Sequence, residues 1–227
     1  MTAWSELDHI IFFCGTDAPE ASALLDRGLH EGPRNSHPGQ GTANRRFFFR
    51  NAYLELLWVE NFTEAQSPVP RSLGLADRWQ RRDAGVCPIG LVFRSGRRTL
   101  ARPIDSWTYT PSYFPPGFSI EVAKDIPDNE PLLFYLPFAR PTLVEERDAG
   151  PALVGDIVDA VLHLPATMQL SPALDALVGA GVLGVEPARQ YRIDLRHVGG
   201  ARDVIDCRPT LPLRFVPFDT QKKRPAA

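Results

Sequence analysis

The sequence predicts an α+β protein built from two paired modules, and two observations support this class. Near each end of the chain, a short apolar strand is followed by a short helix, a Gly/Pro-rich loop and further strands. The repetition lies in the order of elements rather than in residue identity, and it favours a paired-module fold. The 22 prolines among 227 residues also favour short strands joined by stiff loops.

The first module begins with an apolar strand over residues 7–14, which read LDHIIFFC. A helix is predicted to start at Asp17, because Glu20 stands three residues later as in a capping box and Gly28 is placed to end it. A Gly/Pro-rich loop follows over residues 30–44. Two further strands are then predicted over residues 47–49 and 53–59.

The middle of the chain predicts a short helix near residues 73–81 and strands over residues 89–93, 118–123 and 132–136. Between them lies the segment WTYTPSYFPPG, residues 107–117, whose prolines exclude a helix. Two interpretations stay open for this segment. It forms either a rigid aromatic lid or wall over a pocket, or a loop packed onto the sheet.

The second module follows a proline-flanked connector at residues 140–155. A strand is predicted over residues 157–164, and Ser171 with Pro172 forms an N-cap and first-turn pair for a helix. Further strands are predicted over residues 191–198, 204–207 and 213–216. We therefore expect an N-terminal module with an extended aromatic section at residues 1–140, and a C-terminal module of similar order at residues 141–227.

Charge and composition limit the function classes. A net charge of −2 provides no field that would attract nucleic acid or an anionic membrane. The apolar runs are too short to span a bilayer. Three scattered cysteines and an N-terminus without a signal-peptide pattern lead us to expect a cytoplasmic protein. A small molecule is the expected partner.

His9 and Glu55 are the first candidates for catalysis. Glu55 stands in the middle of the apolar strand AYLELLWV, where an unpaired carboxylate is strongly disfavoured. It must therefore meet a cation, a metal or a hydrogen-bond donor, or stay protonated. The alternative is a structural ion pair with Arg45, Arg46 or Arg50. A lone histidine in a strand, such as His9, is more often a core residue than a ligand.

The loop at residues 37–44 provides candidate substrate contacts. His37, Thr42 and Asn44 carry polar groups beside two glycines that allow close backbone approach. His37 is also a candidate general base near neutral pH. The alternative is a simple turn that leads into the next strand. Trp107 and Tyr109 of the aromatic segment are further candidates for substrate binding.

The segments LDHIIFF, HPGQGTANRRFFF and NAYLELLWVE resemble the glyoxalase-like domain family of the vicinal-oxygen-chelate superfamily. The resemblance implies paired βαβββ modules that form a curved mixed sheet around a pocket. It also implies a divalent metal ion held in part by His9 and Glu55. The ligand set is incomplete, because Ala160 stands where the C-terminal copy would need a histidine.

Three functional readings follow from this resemblance. The chain is a lyase, isomerase or dioxygenase-like enzyme that acts on an oxygen-bearing substrate, or a metal-free acid/base enzyme, or a protein that sequesters a ligand without chemistry. A homodimer through exposed edge strands is consistent with such modules. The sequence does not choose among these readings.

Overall fold

The computed structural model describes residues 4–140, 153–165 and 169–218, and it confirms the α+β class. The strands are β1 (Glu6–Phe13), β2 (Asn35–His37), β3 (Thr42–Phe48), β4 (Tyr53–Val59), β5 (Ile89–Arg94), β6 (Ser106–Tyr109), β7 (Ile120–Ala123), β8 (Leu132–Leu136), β9 (Val154–Pro165), β10 (Gly184–Ala188), β11 (Arg192–Gly200), β12 (Ile205–Asp206) and β13 (Leu213–Pro217). The helices are α1 (Ser22–Leu25), α2 (Phe62–Ala65), α3 (Pro68–Arg71), α4 (Leu75–Gln80) and α5 (Pro172–Gly179), and a 3₁₀ turn covers Pro19–Ala21. No helix among the described residues has the length and apolar character needed to cross a membrane.

The first eight strands form one sheet in the order β2-β3-β4-β1-β5-β8-β7-β6. Its two halves repeat one plan. β1 pairs in parallel with β4, β5 pairs in parallel with β8, and β1 meets β5 antiparallel at the centre. The partner of the first module in this sheet is therefore the middle section, rather than the C-terminal part of the chain. The described residues between β5 and β6 contain no helix.

The C-terminal strands form a separate five-stranded sheet in the order β10-β9-β11-β13-β12. One hydrophobic core includes residues of both sheets, and Phe49 meets Phe215 edge-on at 5.2 Å. The Asn51 side chain donates to the carbonyl of Ile157 and accepts from its amide. These contacts fix the back of the large sheet and leave its other face available for a pocket.

The helix predicted from Asp17 is shorter than expected and lacks the predicted capping box. Asp17 and Ala18 have positive φ values of 62° and 46°. Glu20 Oε1 accepts from the amide of Gly15 at 2.9 Å, so this carboxylate closes the turn before the helix. At the other end of the chain the predicted N-cap is confirmed, because Ser171 Oγ accepts from the amide of Leu174.

The large sheet is curved, because a loop next to its last strand contacts residues next to its first. Tyr113, which follows β6, stacks on His37 of β2 at 4.9 Å and donates to Gln40 Oε1 at 3.0 Å. Ser112 Oγ donates to the carbonyl of Pro38. The segment at residues 107–117 is thus an edge strand followed by a loop that closes one side of a cavity.

Arg78 on α4 ties a distant turn to this sheet. Its guanidinium is buried and donates to the carbonyls of Pro127, Asp128 and Glu130, each at 2.8 Å. Replacing Arg78 with methionine should lower the free energy of unfolding by on the order of 3 kcal/mol, because the buried guanidinium is lost together with its hydrogen bonds to three carbonyl groups. Urea denaturation measures this change. Arg71→Met on exposed α3 is the matched control, and a similar loss in both variants would contradict the role of Arg78.

Candidate functional site

A cavity of about 450 Å³ opens on the concave face of the large sheet. The first module supplies its polar side, which is lined by His9, Asn35, Ser36, His37, Gln40, Asn44, Arg46, Tyr53 and Glu55. The other lining residues are apolar or aromatic: Ile11, Leu57, Leu73, Leu75, Val92, Tyr109, Tyr113, Phe114, Ile120, Phe134 and Leu136. The volume is within the ordinary range of small-molecule sites.

Strand alternation brings the polar side chains together. His9 lies opposite Tyr53 in the parallel β1–β4 pair, and Arg46 lies opposite Glu55 in the antiparallel β3–β4 pair. Residues two apart in a strand share a face. Asn44 therefore joins Arg46 on the concave side.

The His9 ring is held at both nitrogens. Its Nε2 lies 3.2 Å from Glu55 Oε2, and its Nδ1 lies 2.8 Å from Asp8 Oδ1. The register of β1 against β5 shifts at Asp8, so this local irregularity lets neighbouring side chains meet. Arg94 is almost fully buried and donates to Asp8 Oδ2 at 2.9 Å. A buried chain of alternating charge thus runs from Arg94 to Glu55.

Glu55 is engaged through both carboxylate oxygens. Oε2 faces His9, and Oε1 accepts from Asn44 Nδ2 at 2.5 Å. Neither Arg45, Arg46 nor Arg50 pairs with it among the described residues, so the alternative of a structural ion pair with an arginine is not formed there. Asn44 Oδ1 is buried and has no hydrogen-bond partner in the described part of the chain. It therefore leaves an acceptor for a ligand.

His37 faces the same carboxylate from the first strand of the hairpin. Its Nε2 lies 4.0 Å from Glu55 Oε1, and its Nδ1 lies 2.9 Å from Thr42 Oγ1. The turn that returns the chain from His37 to Thr42 requires Gly41, whose φ is 76°. A Cβ there would lie 2.3 Å from the carbonyl of Asn61. A larger residue at Gly41 would displace the hairpin that positions His37.

The two imidazoles that flank Glu55 have pKa values shifted in opposite directions. Burial disfavours the charged form of both rings. For His9 this effect is outweighed by hydrogen bonds to Asp8 and Glu55, so its pKa lies above 6.5. For His37 burial prevails despite the nearby Glu55, with Arg46 and His9 adding to the effect, so its pKa lies below 6.5.

The carboxylate between them stays ionised. Burial alone would raise the pKa of Glu55, but the hydrogen bond and charge of His9, the nearby His37 ring and the Asn44 hydrogen bond lower it to about 2. The ring of Tyr53 stacks on His9 at 4.2 Å, a contact that suits a cationic imidazole. The site therefore favours a protonated His9 and a neutral His37 on either side of an ionised Glu55.

The structure brings most of the predicted site residues to one place. His9, His37, Asn44, Glu55 and Tyr109 line the cavity. Two residues predicted to bind substrate, Thr42 and Trp107, are not among the lining residues. Thr42 is buried behind His37 and hydrogen-bonds that ring, and Trp107 lies beside Tyr109 with its side chain outside the lining.

Sequence reasoning did not identify Asp8, Gln40, Tyr113 and Phe114 as parts of the site. Asp8 meets the His9 ring because the strand register shifts between Leu7 and His9, and composition gives no sign of such a shift. Gln40 accepts from Tyr113 across the curved sheet, at a sequence separation of 73 residues. Tyr113 and Phe114 lie in the aromatic segment at residues 107–117, for which a cavity wall was one of the two interpretations. Within that segment, however, the predicted substrate contacts were Trp107 and Tyr109.

The donor set does not fit the metal centre that the family resemblance implies. The second half of the sheet presents Val92 opposite His9, and Phe134 beside Val92. Neither side chain can ligate a metal ion. His9 and Glu55 contact each other directly, and no group of three or more His, Cys, Asp or Glu side chains in the described ranges is arranged to hold a metal. We therefore derive no step through a metal ion.

Comparison with known proteins gives one family match. The family model described as a glyoxalase-like domain matches residues 7–101, which include the residues on the polar side of the cavity, from His9 to Glu55. No curated protein matches the sequence.

Two solved structures with low sequence identity are similar in part. A hypothetical protein from Staphylococcus aureus has a TM-score of 0.48 at 14% identity, covering 94% of this chain and 99% of that one. A methylmalonyl-CoA epimerase has a TM-score of 0.37 at 13% identity, covering 62% of this chain and 99% of that one. The family match confirms the resemblance of this chain to the glyoxalase-like domain family, over residues 7–101.

Proposed function

We propose that the chain is a small-molecule enzyme that transfers a proton at a carbon next to a carbonyl group, as a lyase or an isomerase does. The observation that supports this proposal is the pair of imidazoles on one carboxylate, with pKa values displaced in opposite directions. Titratable neighbours whose environments push their pKa values apart are typical of acid/base sites.

In the proposed reaction, neutral His37 is the base. Its Nε2 takes the proton from the substrate carbon, and the electron pair of that C–H bond moves to form the enolate. The new imidazolium is stabilised by Glu55, whose Oε1 lies 4.0 Å from the same nitrogen. Return of the proton to carbon completes an isomerisation, and loss of a neighbouring leaving group completes an elimination.

His9 and Asn44 have positioning roles in this scheme. His9 holds Glu55 Oε2, and Asn44 Nδ2 holds Oε1, so the carboxylate has a fixed orientation. The buried Asn44 Oδ1 is free to accept a hydrogen bond from a substrate hydroxyl or amide. The curved apolar wall shields the enolate from water.

Solvent-deuterium exchange tests the proposal without knowledge of the product. The protein is incubated in D₂O with a panel of 2-oxo acids, 2-hydroxy ketones and 1,3-dicarbonyl compounds, and the loss of substrate C–H signals is followed by NMR. We expect exchange with at least one of these classes, and treatment with EDTA should not reduce it. Absence of exchange throughout the panel contradicts proton transfer, and bound ligand without exchange would favour sequestration.

The pH dependence of this exchange should be bell-shaped. His37 must be neutral, and its pKa lies below 6.5, so the rate rises as pH increases through that lower value. His9 must be protonated, and its pKa lies above 6.5, so the rate falls as pH increases through that higher value. NMR titration of the imidazole C–H signals gives both pKa values independently. A single rising limb that continues above the pKa of His9 would remove this residue from the scheme.

A further inference from the structure

Arg46 places a positive charge in the cavity wall without an acidic partner among the described residues. It lies opposite Glu55 in the β3–β4 register, yet both oxygens of Glu55 are taken by His9 and Asn44. Arg46 Nε donates to the carbonyl of Pro33 at 3.0 Å, and the guanidinium carbon lies 5.2 Å from the Phe48 ring centroid. These contacts hold the side chain in place and leave its terminal nitrogens available.

The charge of Arg46 is not balanced within the cavity. Glu55 is already paired with His9, and Asp8 with Arg94. A half-buried guanidinium with two available nitrogens is suited to bind a carboxylate through paired hydrogen bonds. Arg46 can therefore pair with one negatively charged group of a ligand, because no acidic side chain among the described residues pairs with it.

The other side of the cavity has the opposite character. The strands β5 to β8 contribute Val92, Tyr109, Ile120, Phe134 and Leu136, and no charged side chain from these strands lines the cavity. A ligand that contacts this wall gains affinity in proportion to the apolar area it buries. The aromatic residues also provide edges and faces for a ring.

We infer that the cavity binds a small carboxylate with an aromatic or branched apolar tail, with the carboxylate on Arg46 and the tail against β5–β8. This inference rests on the proposed function only in assigning the ligand to the same site. It narrows the substrate class to apolar oxo acids or related acids.

Calorimetric titration with three acids and one amide tests the inference. Phenylacetate should bind about 10- to 100-fold more tightly than phenylacetamide, because the charge-assisted hydrogen bonds of the acid are lost in the neutral amide. Affinity should also rise from acetate through 3-methylbutanoate to phenylacetate, as the tail grows. Equal affinity for the acid and the amide, or no binding of phenylacetate, would overturn the inference.

Variants of Arg46 test whether this residue causes the preference for phenylacetate over phenylacetamide. Arg46→Gln should abolish the preference for acid over amide, because the affinity for the acid falls far more than that for the amide, and Arg46→Lys should keep part of the preference. Arg71→Gln, on the exposed helix α3, removes a charge outside the cavity and should change neither affinity. Thermal melting checks that each variant is folded. A preference that survives in Arg46→Gln would show that the carboxylate binds elsewhere.

The ligand class and the proposed proton transfer can fail independently of each other. If the preference depends on Arg46 but no substrate exchanges its proton, the ligand class stands and proton transfer fails. If exchange occurs only with uncharged carbonyl compounds and Arg46→Gln does not alter it, proton transfer stands and the ligand class fails.

Discussion

Replacing His37 with glutamine is expected to lower the rate of solvent-deuterium exchange by about 10²- to 10⁴-fold, the range typical of a removed general base. Glutamine is uncharged and polar, so it can still hydrogen-bond Thr42 Oγ1, which now contacts His37 Nδ1 at 2.9 Å. The hairpin should therefore remain in place. Substrate binding should change little, because the loss arises in the transition state. NMR exchange rates at saturating substrate measure the effect.

His30→Gln is the matched control for His37→Gln, because His30 is exposed and lies outside the cavity lining. It should keep the wild-type rate. Glu55→Gln should also lower the exchange rate, since a neutral amide cannot stabilise the imidazolium that forms on His37. Comparable rates in His37→Gln and wild type would exclude His37 as the base, even if the cavity binds the substrate.

Replacing His9 with leucine is expected to lower the free energy of unfolding by about 3–5 kcal/mol, the typical cost of leaving one member of a buried ion pair without its partner. Glu55 would keep the Asn44 hydrogen bond but lose the cation at 3.2 Å. Its carboxyl would then respond to burial with a raised pKa. Chemical denaturation at pH 6 gives the change in stability.

Two further variants distinguish the loss of the His9–Glu55 ion pair from a loss of side-chain packing. The double variant His9→Leu with Glu55→Leu should recover much of the lost stability, because it removes both charges and keeps apolar volume. His30→Leu should change the free energy of unfolding by less than about 0.5 kcal/mol, as is usual at exposed positions. A double variant that is less stable than His9→Leu would contradict the ion-pair explanation.

The effect of His9→Leu should also depend on pH. The raised pKa of His9 means that its charge stabilises the fold fully below pH 6.5, and that this contribution is lost as pH rises through its folded-state value. The lowered pKa of Glu55 means that its contribution is present above pH 4.5 and is lost as pH falls. The difference between wild type and His9→Leu should thus be largest between about pH 4.5 and 6.5.

Strand alternation singled out Glu55, and the family resemblance linked it to His9. Alternation placed Glu55 in the middle of an apolar strand, and the penalty for a lone buried carboxylate required a partner for it. His9 lay on a strand of the same module, and the structure joins the two at 3.2 Å. The sequence also indicated His37 and Asn44, because their short polar segment led directly into the neighbouring strand.

Other parts of the site depend on contacts that local patterns cannot show. The irregularity at Asp8, the closure of the sheet by Tyr113, and the packing of the middle section as the second half of the sheet all join residues far apart in sequence or break a strand register. Element order predicted that the C-terminal part is the second module of the pair. Pairing of β1 with β5 instead makes the middle section the second half of the large sheet.

What the sequence by itself determined was the α+β class, the resemblance of the N-terminal part to a glyoxalase-like domain, and the need of Glu55 for a partner. These depend on local alternation and on the chemistry of single residues. Only the tertiary structure decided that this partner is the His9 imidazole, and that the second half of the sheet presents Val92 and Phe134 to the same cavity. The physical reason is that a side chain's charge state and donors are set by neighbours from other strands.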